Sequence, residues 1–452
     1  MSSPSNPGAN GKMMPLGIAL IGCGTVGGGV AQLLLEQSER LAARAGRPLV
    51  LRRVVVRDLE RPRPVPRELL TTDLNAVLTD PEVQVAVELA GGVDWARAAI
   101  LALLAAGKHV VTANKAVLAE CGTEVFAAAR RHERAIAFEA SVMGGVPVIA
   151  VLGQCLAANQ ILSLQGILNG TSNFILTAMS EEGRPYPEAL ADAQRRGYAE
   201  ADPTLDVDGT DAAHKLAILA QLAFGVDVPV RAIDRRGIAD LQQVDIAYAR
   251  ELGYTIKLLA EAWLEPAPKR TEGPTGHLAL HVSPVLLRHQ TLLAQVRGAY
   301  NAIRIIGDAV GDTLLYGRGA GRMPTASAVV ADIIDLAVGR AQRTFQASRL
   351  WSGAASGIAL QPSAAVRSRF YLRLTVLDRL GVMAEVTRVL AANHISIASV
   401  VQHEALEEQA DDTVPLVIMT HTALTENFRQ AVAQVDALKA VTAPSVYYPV
   451  AD

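Results

Sequence analysis

The chain has 452 residues, half of them hydrophobic and 19% charged, with a net charge of −3. That length allows about three domains at roughly 150 residues each, and the apolar content excludes wholesale disorder. The near-balanced charge argues against a dedicated nucleic-acid binder, which carries a strongly basic face.

Cys23, Cys121 and Cys155 lie far apart without metal-ligand spacing, so a reduced, cytoplasmic protein is expected. The polar start "MSSPSNPGANGK" reads as a disordered tail over 1–14 and not as a signal peptide. The longest apolar run, "AAILALLAA" from Ala98 to Ala106, is too short to cross a bilayer, so no membrane partner is expected.

Next comes "PLGIALIGCGTVGGGVAQLLLEQ", which reads as a buried strand, a glycine-rich turn and a helix. Gly22-x-Gly24-x-x-Gly27 in that setting is a dinucleotide-binding fingerprint. The first glycine permits the turn, the second lets a pyrophosphate approach the backbone, and the third lets the helix pack on the strand. The helix N-terminus offers free N–H groups to phosphate.

Strands then alternate with helices: "LVLRRVVVRD", "VQVAVELAGG", "HVVTANKA" and "AIAFEAS" are strands, with helices at "ARAAILALLAAG" and "GTEVFAAARRHE". This pattern implies a parallel sheet covered on both faces, a Rossmann-type domain over 15–150. Ligands meet such sheets at the carboxyl ends of the strands, placed here at Arg57 and Lys115. Arg57, backed by Arg61 and Arg63, tilts the expectation to NADP(H), while Asp58 keeps NAD(H) open.

A second region, 151–345, is α+β in texture. "ILSLQGILNGTSNFILTAM" is a strand, a polar turn and a helix; "YPEALADAQRRG" is a helix closed by Gly197. "LALHVSPVLL" and "NAIRIIGD" are strands of a second sheet. His277 and His281 fall on the first of them, where alternation along a strand explains the pair better than a metal site. "MPTASAVVADIIDLAVGRAQ" reads as one long helix, near 323–342, returning to the first domain. A Ser/Ala/Gly/Pro-rich linker over 346–368 precedes a unit over 369–452 whose strand and helix periods give βαββαβ, the ferredoxin-like order.

Chemistry concentrates in "GYAEADPTLDVDGTDAAHK", residues 197–215. Thr210 or Asp208 can cap the following helix, which accounts for one acid by structure alone. Glu200, Asp202 and Asp206 remain, and Asp211 and Lys215 share a helix face at a spacing of four. Beyond Lys215 the helix is apolar nearly all round and hence buried. An ammonium at its mouth needs partners, and a lysine so desolvated suits general acid–base work. With a hydride-carrying cofactor, an acid-lined pocket suggests reduction of an amino-acid aldehyde or oxidation of an amino alcohol.

The segments "GKHVVTANKAVLA", "GILNGTSNFILTAM", "GYAEADPTLDVDGTDAAHKLAILA" and "GAGRMPTASAVVAD" resemble the signature stretches of homoserine dehydrogenase, in that family's order. The resemblance implies NAD(P)-dependent interconversion of L-homoserine and L-aspartate 4-semialdehyde, on the path to threonine and methionine. It implies Lys215 as proton donor and acceptor, Lys115 beside cofactor and substrate as a second catalytic group, and Glu200, Asp206 and Asp211 as substrate-pocket acids. Thr25, Val26, Arg57, Lys115, Gly197 and Gly321 correspond to cofactor contacts. A sodium site is implied at Glu139 with the carbonyls of Val142, Gly144 and Val146. A catalytic and dimerising central domain is implied as well, hence a homodimer or higher homo-oligomer.

The C-terminal unit resembles an ACT domain, an amino-acid-sensing module, and three readings stand for it: a site responding to L-threonine, an oligomerisation module, or an inert appendage. Its first loop reads "DRLGV", with Leu380 where a proline commonly precedes the glycine. A related NAD(P) oxidoreductase for another amino-aldehyde, or a nucleotide- and amino-acid-binding regulator without turnover, stands as the alternative.

Overall fold

Leu16–Ile21, six consecutive buried residues, form β1 at the centre of the first sheet. The computed structural model describes residues 14–266, 276–352, 357–403 and 413–451. The expected tail thus lies outside the described residues except for residue 14, as do 353–356 of the expected linker. The chain divides into two units, 1–155 with 320–354 and 156–319 with 355–452.

In the first unit β1 is joined by β2 (Leu49–Val55), β3 (Leu70–Thr71), β4 (Val85–Glu88), β5 (His109–Thr112) and β6 (Ile136–Ala137). Their order is β3-β2-β1-β4-β5-β6, and every pairing is parallel. The order reverses between β1 and β4, which places the ligand crevice of such a sheet beyond the ends of those two strands. β1 and β4 are buried along their whole length because helices cover both faces. One of these is the return helix Arg322–Ala337, which packs along the helix Thr25–Glu36.

Two local expectations are corrected here. The return helix does not run on to residue 342: Gly339 takes a φ of +79°, and a separate helix, Arg340–Ala347, starts behind it. Lys115 does not end a strand, since β5 stops at Thr112 and Lys115 opens the helix Lys115–Arg131.

The second unit is built on a larger sheet. Its strands are β7 (Ile161–Ile167), β8 (Asp234–Arg235), β9 (Tyr254–Pro266), β10 (Gly276–Arg288), β11 (Tyr300–Gly307), β12 (Gly311–Arg318) and β13 (Ile358–Leu360). Then follow β14 (Arg367–Leu377), β15 (Ile397–Gln402), β16 (Thr413–Thr420), β17 (Ala423–Leu424) and β18 (Val441–Ala451). The main path is β12-β11-β7-β9-β10-β18-β14-β16-β15.

β9 and β10 form a long antiparallel hairpin, paired from Tyr254↔Arg288 to Gly276↔Pro266. His281 Nε2 on β10 lies 3.2 Å from Glu261 Oε2 on β9, a cross-strand pair. Part of the expected linker is itself structured, because β13 pairs with β10. The C-terminal segment follows the expected βαββαβ order around its own core, where Phe370 stacks on Phe428 at 3.9 Å between ring centroids. β18 also pairs in parallel with β10, Leu286 against Val450 and Leu287 against Ala451, so both sheets of this unit are one. The architecture is the expected one: a Rossmann-type domain, an α+β domain and a ferredoxin-like domain.

Candidate active site

The glycine turn sits where the sequence placed it. Gly22 has φ of +102° at the end of β1, and Gly24 caps the helix that Thr25 and Val26 begin. A Cβ on Gly27 would stand 2.3 Å from the Gly22 carbonyl oxygen, so only glycine lets the helix close on the turn. Burial pushes the Cys23 thiol up, while the guanidinium groups of Arg63 and Arg322 pull it down, which places two cations beside the turn. Arg322 follows Gly321, the N-cap of the return helix, at a φ of +122°. A pyrophosphate would meet both cations and the open helix N-terminus. Arg322 had no signal in the sequence.

Arg57 is exposed beyond the end of β2. Behind it the loop folds on itself: Arg63 Nη1 donates to the carbonyls of Asp58 (2.6 Å) and Arg61 (2.8 Å). Asp58 Oδ1 accepts the Glu60 N–H at 2.8 Å. Asp58 is thereby engaged in shaping the loop that presents Arg57.

Lys115 is placed by a small network at the ends of β4 and β5. Buried Glu88 accepts from the Thr112 hydroxyl at 2.8 Å and from the Ala90 N–H at 2.9 Å. Burial pushes its carboxyl above the usual range, against those hydrogen bonds. Asn114 donates its side-chain amide to the Gly92 carbonyl (2.7 Å) and accepts the Val117 N–H, capping the helix that starts at Lys115.

In the second unit the acidic loop and Lys215 come together around an asparagine that the sequence reading passed over. Asn169 Nδ2 donates to Asp206 Oδ1 at 2.7 Å and to Asp211 Oδ2 at 2.8 Å. Its Oδ1 accepts the Ser172 N–H, capping the helix Gly170–Glu182. Lys215 Nζ donates to Asp211 Oδ2 and to the Leu168 carbonyl, both at 2.7 Å. The side chains of Lys215 and Asp211 are only 12% and 8% exposed, so the pair is shielded from water.

The helix Thr210–Phe224 is buried along most of its length past Lys215, as its apolar pattern requires. Asp208 accepts the N–H and hydroxyl of Thr210, which leaves it a structural acid. Glu200 stands apart: it is exposed, and its carbonyl accepts from Gln194 Nε2 at 3.2 Å. Gly197 has φ of +73° just past the helix Tyr186–Arg195 and is exposed beside it.

Glu139 is buried, and its oxygens accept the N–H groups of Ile149 (2.9 Å) and Ala150 (2.8 Å). Its own N–H donates to Asp332 Oδ2 at 2.9 Å. Burial pushes Glu139 up to about 7, and burial with the neighbouring Glu139 pushes Asp332 well above the carboxylate range. Between them the chain turns sharply at Met143 (φ +58°) and Gly144 (φ +46°). Among the described residues no three His, Cys, Asp or Glu side chains converge to hold a metal.

These features agree with the comparisons to known proteins. Residues 22–139 match the family model for the homoserine dehydrogenase NAD-binding domain, 147–334 the homoserine dehydrogenase model and 370–440 the ACT domain model. The homoserine dehydrogenase of Pseudomonas aeruginosa is 43% identical over 96% of this chain and 98% of its own. A crystal structure of a homoserine dehydrogenase from Thiobacillus denitrificans superposes with a TM-score of 0.88 at 42% identity, covering 97% of this chain and 99% of its own. A hyperthermophilic archaeal homoserine dehydrogenase in complex with NADPH gives a TM-score of 0.59 at 27% identity, over 71% of this chain and 97% of its own. The chain belongs to the homoserine dehydrogenase family, oxidoreductases that interconvert L-homoserine and L-aspartate 4-semialdehyde.

Proposed function

We propose that Lys215 moves the proton on the substrate oxygen in this reaction, and that Asp206 and Asp211 hold the substrate ammonium. The observation that carries the reading is the way Lys215 is held. An ammonium has three donors, and the Leu168 carbonyl and Asp211 take two of them. The third is the one available to a substrate oxygen. In the oxidation of homoserine the neutral amine takes the hydroxyl proton; in the reduction of the aldehyde the ammonium returns it. The nicotinamide, when bound, supplies or takes the hydride. The two carboxylates gathered on Asn169 concentrate negative charge in a shielded place, where it attracts an ammonium more strongly than in water. Glu200, exposed and apart from these two, is proposed as a further substrate-pocket acid on the family resemblance alone.

Replacing Lys215 by alanine should lower turnover by about 10²- to 10⁴-fold, with NADPH binding, followed by fluorescence titration, unchanged. Retained turnover would remove the assigned role.

For the cofactor, the Gly22–Gly27 turn with Thr25 and Val26 takes the pyrophosphate, with Gly321 and Arg322 beside it. Exposed Arg57 suits the 2′-phosphate of NADP(H), the form that the archaeal relative holds. Lys115, braced through Asn114, serves as the second catalytic group, and Gly197 lines the cofactor side.

The residues around Glu139 fit a sodium ion. Two buried carboxyl groups lie together, with the Glu139 N–H donating to Asp332 Oδ2, and burial pushes both up. A monovalent ion there would be held by Glu139 and the carbonyls of Val142, Gly144 and Val146, and would offset one negative charge of the pair. The ACT domain is read as a site for L-threonine, at the turn where Gly381 (φ +90°) caps the helix Val382–Ala392. Leu380 beside it is 96% exposed. The chain is read as a cytoplasmic homodimer or higher homo-oligomer. Its three free cysteines suit a reducing compartment, and the exposed edge strand β15 suits pairing between copies.

A further inference from the structure

Lys215 shares its carbonyl. The oxygen of Leu168, one residue beyond β7, accepts from Lys215 Nζ at 2.7 Å and from Asn301 Nδ2 at 2.9 Å. A carbonyl oxygen offers two lone pairs, so the lysine takes one and the asparagine the other. Asn301 lies near the start of β11 and is 1% exposed. Its Oδ1 is buried without a hydrogen-bond partner. Leaving a buried acceptor unpaired costs about 1–3 kcal/mol, so such a group calls for an explanation.

The surroundings are cut to fit this one amide. A Cβ on Gly319 would stand 2.1 Å from both Cγ and Nδ2 of Asn301, a full overlap. A Cβ on Gly170, next to Asn169, would come within 3.3 Å of Asn301 Oδ1. Two glycines therefore leave room for a side chain whose amide donates to the carbonyl that holds Lys215. A stranded acceptor makes asparagine a costly way to fill buried space, so packing alone does not account for it.

We infer that Asn301 is a positioning residue for the proton transfer: by fixing the Leu168 carbonyl it sets the direction in which Lys215 points its remaining N–H. Asn301 supplies one of the two donors that fix the direction of the Leu168 carbonyl, and that carbonyl is one of the two acceptors that hold Lys215 Nζ. A misaimed proton donor costs rate without costing affinity, because ground-state binding through Asp206 and Asp211 does not depend on that angle.

The inference rests on Lys215 as the proton carrier, so the test includes Lys215→Met. Asn301→Leu removes the donor, and Gly319→Ala keeps it but displaces it. Both should lower kcat by about 10- to 100-fold, with KM for homoserine and Kd for NADPH within about twofold. Both should also enlarge the solvent deuterium isotope effect on kcat, since the proton step becomes limiting. A merely structural asparagine would lower Tm and leave the isotope effect alone. If Lys215→Met is inactive while Asn301→Leu keeps kcat and isotope effect, the positioning role falls and the lysine reading stands. If Lys215→Met stays active, both fall. An Asn301→Leu defect that raises KM in step with kcat, with no change in isotope effect, also overturns the inference.

Discussion

Arg373 on β14 grips Asp245 with two hydrogen bonds, from Nε to Oδ1 at 2.6 Å and from Nη2 to Oδ2 at 3.1 Å, and Asp245 is wholly buried. Tyr371 adds its hydroxyl to the same carboxylate at 3.0 Å. Asp245 belongs to the helix Gln243–Glu251, so this clasp ties the C-terminal domain to the central one. Removing one partner of a buried pair leaves a charge uncompensated, at about 3–5 kcal/mol. Arg373→Met should therefore lower unfolding stability by several kcal/mol in urea titrations. Arg373→Met combined with Asp245→Leu should recover much of that loss. A double variant no better than the single would show that the cost lies in packing and not in the stranded carboxylate.

Asn169 gathers two carboxylates whose mutual repulsion would otherwise part them. Asn169→Ala removes the amide that both Asp206 and Asp211 accept from. KM for homoserine should rise by about tenfold, the equivalent of about 1.4 kcal/mol, with KM for NADPH little changed. A loss confined to the cofactor would contradict the assignment of these acids to the substrate.

Arg57 has a simple readout. Arg57→Ala should weaken NADPH by about 10-fold or more, as expected for a lost charged hydrogen bond to phosphate at about 1.5–3 kcal/mol. NADH should be nearly unaffected. Equal losses for the two cofactors would mean that the guanidinium does not read the 2′-phosphate.

His109 gives the first unit an acid-sensitive point. Its Nδ1 accepts the Ala135 N–H at 3.0 Å, and burial, aided by Arg134, pulls its pKa down from 6.5 to about 4. Between those values the unfolded chain binds the proton and the folded one does not. Stability is thus complete above pH 6.5 and is lost as pH falls towards 4. About 2 kcal/mol should go over that window, after allowing for partial solvent screening. His109→Gln should flatten the dependence, and a mutant losing stability at the same rate as wild type would exclude His109 as the cause.

The sequence carried what is local. Gly22, Gly24 and Gly27 betray the cofactor turn because backbone geometry there excludes a side chain. Lys215 stands out because a charge opens an apolar helix. What it did not carry is brought together by the fold: Asn169 meets Asp206 and Asp211 across 37 and 42 residues, and Glu139 meets Asp332 across 193. Neither Asn169 nor Asn301 differs in the sequence from an ordinary loop or strand residue. The break at Gly339 has no strong mark in the sequence, because the glycine is followed at once by good helix formers, Arg340, Ala341 and Gln342. β9 went unread because its central stretch, Leu258–Ala262, is nearly continuous apolar residues, without the alternation that marks a half-buried strand.

The pairing of β18 with β10 makes the last strand of the chain a seam in the sheet of the second unit. An appended module that ends on its own can be clipped away or grafted elsewhere, and its host keeps a finished border. Here β18 is joined to its host at Leu286 and Leu287 of β10, so excision would leave the main-chain groups that face it there without those partners.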